Sequence, residues 1–97
     1  MELRIYGPAR QDLEDAYRYI AADSPRSAER VIGRVLTALQ RLPDMPRIGR
    51  RGRVPGTREL VITRTSYLAI YEIDGDTIAV VRVLHGRQQW PPAEDEG

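Results

Sequence analysis

The stretch Ser66–His85, SYLAIYEIDGDTIAVVRVLH, contains two apolar segments separated by a short polar turn. The turn, DGDT, supplies the aspartate–glycine pair that two-residue hairpin turns favour. The flanking segments SYLAIYEI and IAVVRVLH are rich in β-branched and aromatic residues, which predicts two antiparallel strands. The apolar residues of IAVVRVLH lie too close together for strict alternation. We therefore expect this second strand to lie in the middle of a sheet.

Upstream of this hairpin, the segment TRELVIT predicts one more strand of the same sheet. It follows residues 43–56, PDMPRIGRRGRVPG, which contain three prolines and three glycines. Proline and glycine at this density interrupt both helices and strands, so we expect a loop without a regular element.

The first half of the chain shows helical periodicity. Leu13, Ala16, Tyr17 and Ile20 recur at three- and four-residue spacing, which predicts an amphipathic helix over residues 9–22. A second helix should begin after Ser24, a good capping residue, and continue to Pro43. The first residues, ELRIYG, alternate as a short strand does. The predicted order is β-α-α-β-β-β, an α+β fold with a helical hairpin packed on a small, mainly antiparallel sheet.

Length and composition limit the possible functions. The 97 residues predict a single domain over residues 1–91, and the acidic residues 92–97 predict a disordered tail. Cysteine is absent, which excludes disulfides and cysteine nucleophiles, and we expect no cofactor and no metal site. No apolar run is long enough to span a membrane, so we expect a cytoplasmic protein. All fifteen basic residues are arginine, so no lysine is available as a general base.

The order and spacing of five segments resemble the RelE/ParE superfamily of type II toxin–antitoxin toxins, from about Leu3 to Pro91. The segments are DLEDAYRYIA, SPRSAERVIGRVLTALQRLPDMPRIGRRG, VPGTRELVI, YLAIYEI and VVRVLHGRQQWP. The resemblance implies the same fold and a small bacterial toxin that is neutralised by an antitoxin encoded beside it. It also leaves two mechanisms open, because RelE-like members cut mRNA on the ribosome whereas ParE-like members inhibit DNA gyrase by binding it. The fold does not choose between them.

The residues expected of a RelE-like nuclease are only partly present. The resemblance implies an arginine in the strand YLAIY, but Leu68 stands at that position. Arginine is a poor general base because it stays protonated. A metal-free nuclease would therefore depend on His85, assisted by Arg58 and Arg87. Gly86 replaces the aromatic residue that follows this histidine in some relatives, and we favour a structural role for His85.

The ParE-like mechanism, inhibition of DNA gyrase by direct binding, is the favoured interpretation. Six arginines lie between Arg47 and Arg64, against one acid, Glu59. They are consistent with solvated charge, with phosphate binding or with a protein-binding surface. Trp90 either covers the core or anchors a partner. The predicted target-binding residues are Arg47, Arg50, Arg51, Arg53, Arg58, Arg87 and Trp90.

The resemblance also implies partners. A ParD-like antitoxin should form a hetero-oligomer with the toxin, and DNA gyrase is the expected target, with the ribosome and mRNA as the alternative. We expect the antitoxin's amphipathic segment to lie beside Leu13, Tyr17, Val31 and Val35, as a helix or as an added strand. A degenerate member that binds an antitoxin but has lost its target is a third interpretation.

Overall fold

Five strands form one mixed sheet in the computed structural model of the chain, which describes residues 1–92. The order across the sheet is β1-β5-β4-β3-β2; β1 runs parallel to β5, and the other neighbouring pairs are antiparallel. The strands are β1 Glu2–Ile5, β2 Arg50–Arg51, β3 Arg58–Val61, β4 Tyr67–Asp74 and β5 Thr77–His85. The predicted hairpin is confirmed, with Gly75 at a positive φ of 56° in its turn. Most of the predicted acidic tail, residues 93–97, lies outside the described residues.

Two helices, α1 Gly7–Ala21 and α2 Pro25–Gln40, form the predicted antiparallel hairpin. Both helices have a proline in the first turn, where the missing N–H costs no intrahelical bond. The Ser24 hydroxyl caps α2 by accepting a hydrogen bond from the N–H of Ser27 at 3.2 Å. Neither helix in the described part of the chain has the length and apolar character needed to cross a membrane.

The hydrophobic core lies between the helices and one face of the sheet. Leu39 and Val35 of α2 are fully buried against Tyr71 of β4 and Val80 of β5. Apolar residues on the opposite face of the central strands are buried as well, among them Ile70. The strands β4 and β5 are thus covered on both faces, which explains their near-continuous apolar sequence.

A bulge in β5 changes the face to which its side chains point. The ladder shifts register between Ile70 and Tyr71 of β4, leaving Val81 as an extra residue in β5. Val80 faces the core before the bulge, and Val83 faces it after the bulge. The dense apolar spacing of this strand reflects the bulge as well as its central place in the sheet.

Asp12 of α1 satisfies the polar groups that the bulge and the sheet edge leave free. Pairing with β1 ends at Ile5 and Val80, so the next part of β5 has an open edge. The Asp12 carboxylate accepts hydrogen bonds from Arg82 Nε at 2.7 Å and Nη2 at 2.9 Å, and from the N–H of Val83 at 2.9 Å. These bonds raise the pKa of Arg82 above its ordinary value.

One sequence prediction is wrong: residues 43–56 are not entirely without a regular element. Arg50 and Arg51 form β2, which pairs with Glu59 and Arg58 of β3. Pairing of two residues needs only backbone groups, and the apolar alternation that signals a strand is absent from RR. The observed order is therefore β-α-α-β-β-β-β, with the predicted α+β architecture otherwise unchanged.

Replacing Asp12 with alanine should lower the free energy of unfolding by about 2–3 kcal/mol. The reason is that Arg82, whose side chain is 30% exposed, would keep its charge without a partner. Urea denaturation of the purified chain measures this change. Glu2→Ala, which breaks the exposed pair with Arg4, is the control and should leave stability unchanged. Equal effects of the two substitutions would contradict the role given to Asp12.

Candidate functional site

The arginine loop, residues 45–57, carries four arginines and is anchored to the sheet. The buried Tyr71 hydroxyl donates a hydrogen bond to the carbonyl of Pro46 at 2.7 Å and accepts one from the N–H of Gly49 at 2.9 Å. A Cβ on Gly49 would lie 2.7 Å from the Tyr71 ring and hydroxyl, so only glycine permits this approach. Burial raises the pKa of Tyr71, which keeps the hydroxyl protonated as a donor.

Glu59 is a buried carboxylate that organises two arginines of the loop. Its side chain is 1% exposed; it accepts hydrogen bonds from the N–H of Arg53 at 2.9 Å and from Arg50 Nη2 at 3.2 Å. Arg53 Nε lies 3.9 Å from the same carboxylate. Burial alone raises the pKa of Glu59, but these bonds and charges outweigh it, and the pKa lies below its ordinary value. Glu59 is therefore ionised at neutral pH.

The arginines of the loop and of the adjoining start of β3 divide into structural and available groups. Arg58 donates from Nη1 to the carbonyl of Gly49 at 2.8 Å, so its guanidinium holds the loop, as those of Arg50 and Arg53 do. Within residues 1–92, the exposed guanidinium groups of Arg47 and Arg51 form no hydrogen bond or ion pair. These two side chains can contact a partner without breaking an internal contact.

The C-terminal segment returns to the arginine loop. Arg53 Nη1 donates to the carbonyl of Trp90 at 3.2 Å, which places this residue beside the loop. Trp90 is partly buried, and its Nε1 has no hydrogen-bond partner among the described residues. This placement agrees with Trp90 covering the fold, while its role as a partner contact stays a prediction. Arg87 is exposed.

His85 is held in place by its neighbours at the end of β5. Its Nδ1 accepts a hydrogen bond from the N–H of Arg87 at 3.1 Å, and its own N–H donates to Gln88 Oε1 at 2.7 Å. The ring meets Tyr67 edge-on, with ring centres 5.3 Å apart. Nδ1 of His85 is therefore already engaged within the chain, which is consistent with a structural role for this residue.

The three residues of the nuclease alternative are not brought together. Arg58 lies opposite Tyr71, and His85 lies opposite Tyr67, four residues away on β4. At about 3.3 Å per residue and 4.8 Å per strand, the Cα atoms of Arg58 and His85 are roughly 16 Å apart. Arg87 extends beyond the end of the sheet. Arg87 lines the same cleft as His85, whereas Arg58 does not.

A cleft of about 380 Å³ lies between α1 and the end of β5. Burial, and to a smaller extent Tyr19, raise the pKa of Tyr67 inside this cleft. The sequence analysis did not single out Tyr19, which is 80% exposed at the rim. The lining residues are Asp12, Asp15, Ala16, Tyr19, Tyr67, Val83, His85, Arg87 and Gln88.

The predicted antitoxin-binding residues differ in exposure. Val35 is fully buried in the core, so its assignment to a binding surface is corrected: it has no atoms to offer a partner. Leu13 and Val31 are partly buried, and Tyr17 is 38% exposed. These three residues stay predictions.

Three residues that organise the fold were not predicted from the sequence, although the sequence carries a signal for two of them. Glu59 is the one acid among the arginines from Arg47 to Arg64, and Arg82 interrupts an apolar strand. A charge in either setting needs a buried partner. Asp12, the partner of Arg82, looks like an ordinary polar position on α1. No group of three or more residues suited to hold a metal ion occurs among residues 1–92.

Known proteins resemble the chain in sequence and in fold. The family model described as "ParE toxin of type II toxin-antitoxin system, parDE" matches residues 3–90. The protein named "Putative toxin Y4kP" from Sinorhizobium fredii is 40% identical over 79 residues, and 81% of each chain is covered.

Two solved structures share the fold. The "Chromosomal ParDE TA system from P. aeruginosa" has a TM-score of 0.78 at 25% identity, covering 88% of this chain and 95% of that one. The toxin–antitoxin complex RelBE2 from Mycobacterium tuberculosis has a TM-score of 0.55 at 28% identity. The match covers 87% of this chain and 95% of that one. The resemblance to the RelE/ParE superfamily and the α+β fold are confirmed.

Replacing Glu59 with glutamine should reduce stability most at neutral pH. The folded pKa of Glu59 is lowered, so its contribution is complete above the ordinary value of 4.5 and is lost as the pH falls through the folded pKa. We expect Glu59→Gln to cost about 1–3 kcal/mol at pH 7, and the difference from the unaltered chain to shrink below about pH 4.5. Urea denaturation between pH 7 and pH 3 measures it. A difference that stays constant over this range would contradict the assignment.

Proposed function

Because the chain belongs to the ParE toxin family of type II toxin–antitoxin systems, we propose that it inhibits DNA gyrase by direct binding in the cytoplasm and that a cognate antitoxin neutralises it. Inhibition by binding needs a surface rather than a set of reacting groups. The surface that we assign to the target is the arginine loop, with Arg47 and Arg51 as its contact residues. Arg87 and Trp90, at the neighbouring C-terminal segment, extend it.

The observation that carries this proposal is that the arginine loop is preformed. Tyr71 and Glu59 fix its backbone from below, so little conformational entropy is lost when a partner binds. The exposed apolar side chains of Met45 and Ile48 lie in the same loop. Arginines beside apolar groups on a rigid backbone are the usual composition of a protein-binding hot spot.

The geometry around His85 supports binding over mRNA cleavage. The N–H of Arg87 donates a hydrogen bond to the ring at Nδ1, and roughly 16 Å separate the Cα atoms of His85 and Arg58. A general base must reach the proton that it abstracts, and a counter-charge must reach the same phosphate. Only Arg87 lines the same cleft as His85, so the set of three is incomplete in this arrangement.

Replacing both Arg47 and Arg51 with glutamine should weaken gyrase inhibition at least tenfold. Each side chain is exposed, so the fold should persist while two charge-assisted contacts are lost. A supercoiling assay with purified gyrase and increasing amounts of toxin measures the half-inhibiting concentration. The matched control is Arg4→Gln with Arg18→Gln, which removes the same charge from exposed sites outside the loop.

Two results would reject the gyrase proposal. One is the absence of any effect on supercoiling or DNA cleavage with the unaltered toxin in stoichiometric excess. The other is codon-phased cleavage of mRNA on programmed ribosomes that His85→Ala abolishes. We expect His85→Ala to retain gyrase inhibition.

For the antitoxin, we assign the exposed apolar residues of the helical hairpin in place of Val35. Tyr17 of α1 and Leu36 of α2 are each 38% exposed, whereas the core beneath them is closed. Partial exposure of large apolar side chains on two neighbouring helices suits an amphipathic segment laid along the hairpin. Leu13 and Val31, which are partly buried, would contribute at the margins of this surface.

The double substitution Tyr17→Arg with Leu36→Arg should prevent co-purification with the antitoxin encoded by the neighbouring reading frame. Two charges placed in an apolar interface would have to be desolvated without partners. A tagged antitoxin co-expressed with each toxin variant, followed by affinity purification, tests this. Met45→Arg, at a similarly exposed apolar residue in the arginine loop, should leave the complex intact. Loss of co-purification with Met45→Arg alone would indicate that the antitoxin binds the arginine loop instead.

A further inference from the structure

A second basic surface lies along α2. This basic groove runs between α2 and residues 62–64, which follow β3, and has a volume of about 610 Å³. Four arginines and one glutamate supply its charged groups: Arg30, Arg34, Arg41, Arg64 and Glu29. None of these arginines belongs to the arginine loop, so the groove is a separate concentration of positive charge.

The backbone of the basic groove is fixed. Arg34 Nη1 donates a hydrogen bond to the carbonyl of Arg64 at 3.2 Å, which links α2 to the end of β3. Arg64 has a φ of 63°, a left-handed conformation that residues other than glycine rarely adopt. The exposed Arg64 side chain therefore stands at a position where glycine would fit with less strain. Arg64 therefore contributes a positive charge to this surface, although its backbone conformation favours glycine.

The spacing of the arginines suits an extended ligand. Arg30, Arg34 and Arg41 follow one another along α2 and its C-terminal cap. At 1.5 Å per residue they span roughly 16 Å, which is about five base pairs of DNA at 3.4 Å per pair. A single small anion would use one or two of these groups, whereas a polyanion can use them all.

The composition of the basic groove distinguishes nucleic acid from protein. Its apolar lining is limited to Ala38 and to Ile62, which is 2% exposed, so a peptide would find no pocket for an anchoring side chain. None of its lining residues is aromatic, so unpaired bases would have nothing to stack on. The ligand that fits this lining is the phosphate backbone of a duplex, which is bound through charge alone.

We propose that the basic groove binds the phosphate backbone of duplex DNA without sequence preference. This activity is separate from the proposed inhibition of gyrase and needs neither the arginine loop nor a protein target. It would hold the toxin on DNA, and so raise its local concentration wherever an enzyme acts on DNA.

Fluorescence anisotropy of a labelled 20-base-pair duplex of arbitrary sequence tests the proposal with the purified full chain. If all four arginines contact phosphates, the logarithm of affinity should fall with the logarithm of salt at a slope of about −3.6. Affinity should then drop roughly 150-fold between 50 and 200 mM salt. A second duplex of unrelated sequence should give the same values.

Arg30→Gln with Arg41→Gln should reduce the salt slope by about two, which leaves roughly a tenfold drop over the same salt range. Arg64→Gly should reduce it by about one while keeping or raising thermal stability, because glycine accepts the left-handed conformation. The charge-matched control, Arg4→Gln with Arg18→Gln, should bind as the unaltered chain does.

Several outcomes would overturn the proposal. These are no binding to duplex DNA at 50 mM salt, equal losses in the control and the groove variant, or tighter binding of single-stranded RNA or of a polyglutamate peptide. Loss of binding in Arg47→Gln with Arg51→Gln alone would place any DNA contact on the arginine loop instead. None of these measurements contains gyrase, so failure here leaves the gyrase proposal standing, and the reverse also holds.

Discussion

Antiparallel pairing between β4 and β5 extends from Tyr67 opposite His85 to Asp74 opposite Thr77, and these two strands occupy the centre of the sheet. Every other element depends on this ladder. β1 pairs with β5, β3 pairs with β4, and the helical hairpin covers the apolar face that the two strands present. The bulge at Val81 adapts β5 to this arrangement, because it changes which of its side chains face the helices.

Burial separates the charges of this molecule into two kinds. Glu59 and Asp12 are largely withdrawn from solvent, and arginine and backbone N–H groups donate hydrogen bonds to each of them. The arginines that satisfy them are part of the fold and are poorly suited to a partner. Arginines that no carboxylate engages, such as Arg47 and Arg51, remain for recognition. The stretch from Arg47 to Arg64, which looks uniformly basic in the sequence, is therefore divided by the buried carboxylate of Glu59.

The same separation determines which surfaces of this ParE-family toxin are available to a partner. His85 and Arg58, two members of the nuclease alternative, lie on different strands, and the N–H of Arg87 donates a hydrogen bond to the histidine ring. Of the two basic surfaces, the arginine loop is held from the core side by Tyr71 and Glu59, and the basic groove is bridged by the hydrogen bond from Arg34 to the carbonyl of Arg64. They differ in composition: exposed apolar side chains accompany the loop, whereas the groove has almost none. This difference is the physical basis for assigning a protein to one and a nucleic acid to the other.

The amino-acid sequence by itself determined the helices, the central hairpin, the α+β fold and the superfamily. These features follow from local periodicity, from capping and turn residues, and from the order of segments, all of which can be read within a few residues. Only the tertiary structure decided that Arg50 and Arg51 form a strand and that Val35 is buried. It also decided which arginines are engaged by Glu59 and Asp12. Each of these outcomes depends on groups distant in the chain, such as Asp12 meeting Arg82, and local patterns carry no information about which distant charge a buried group will meet.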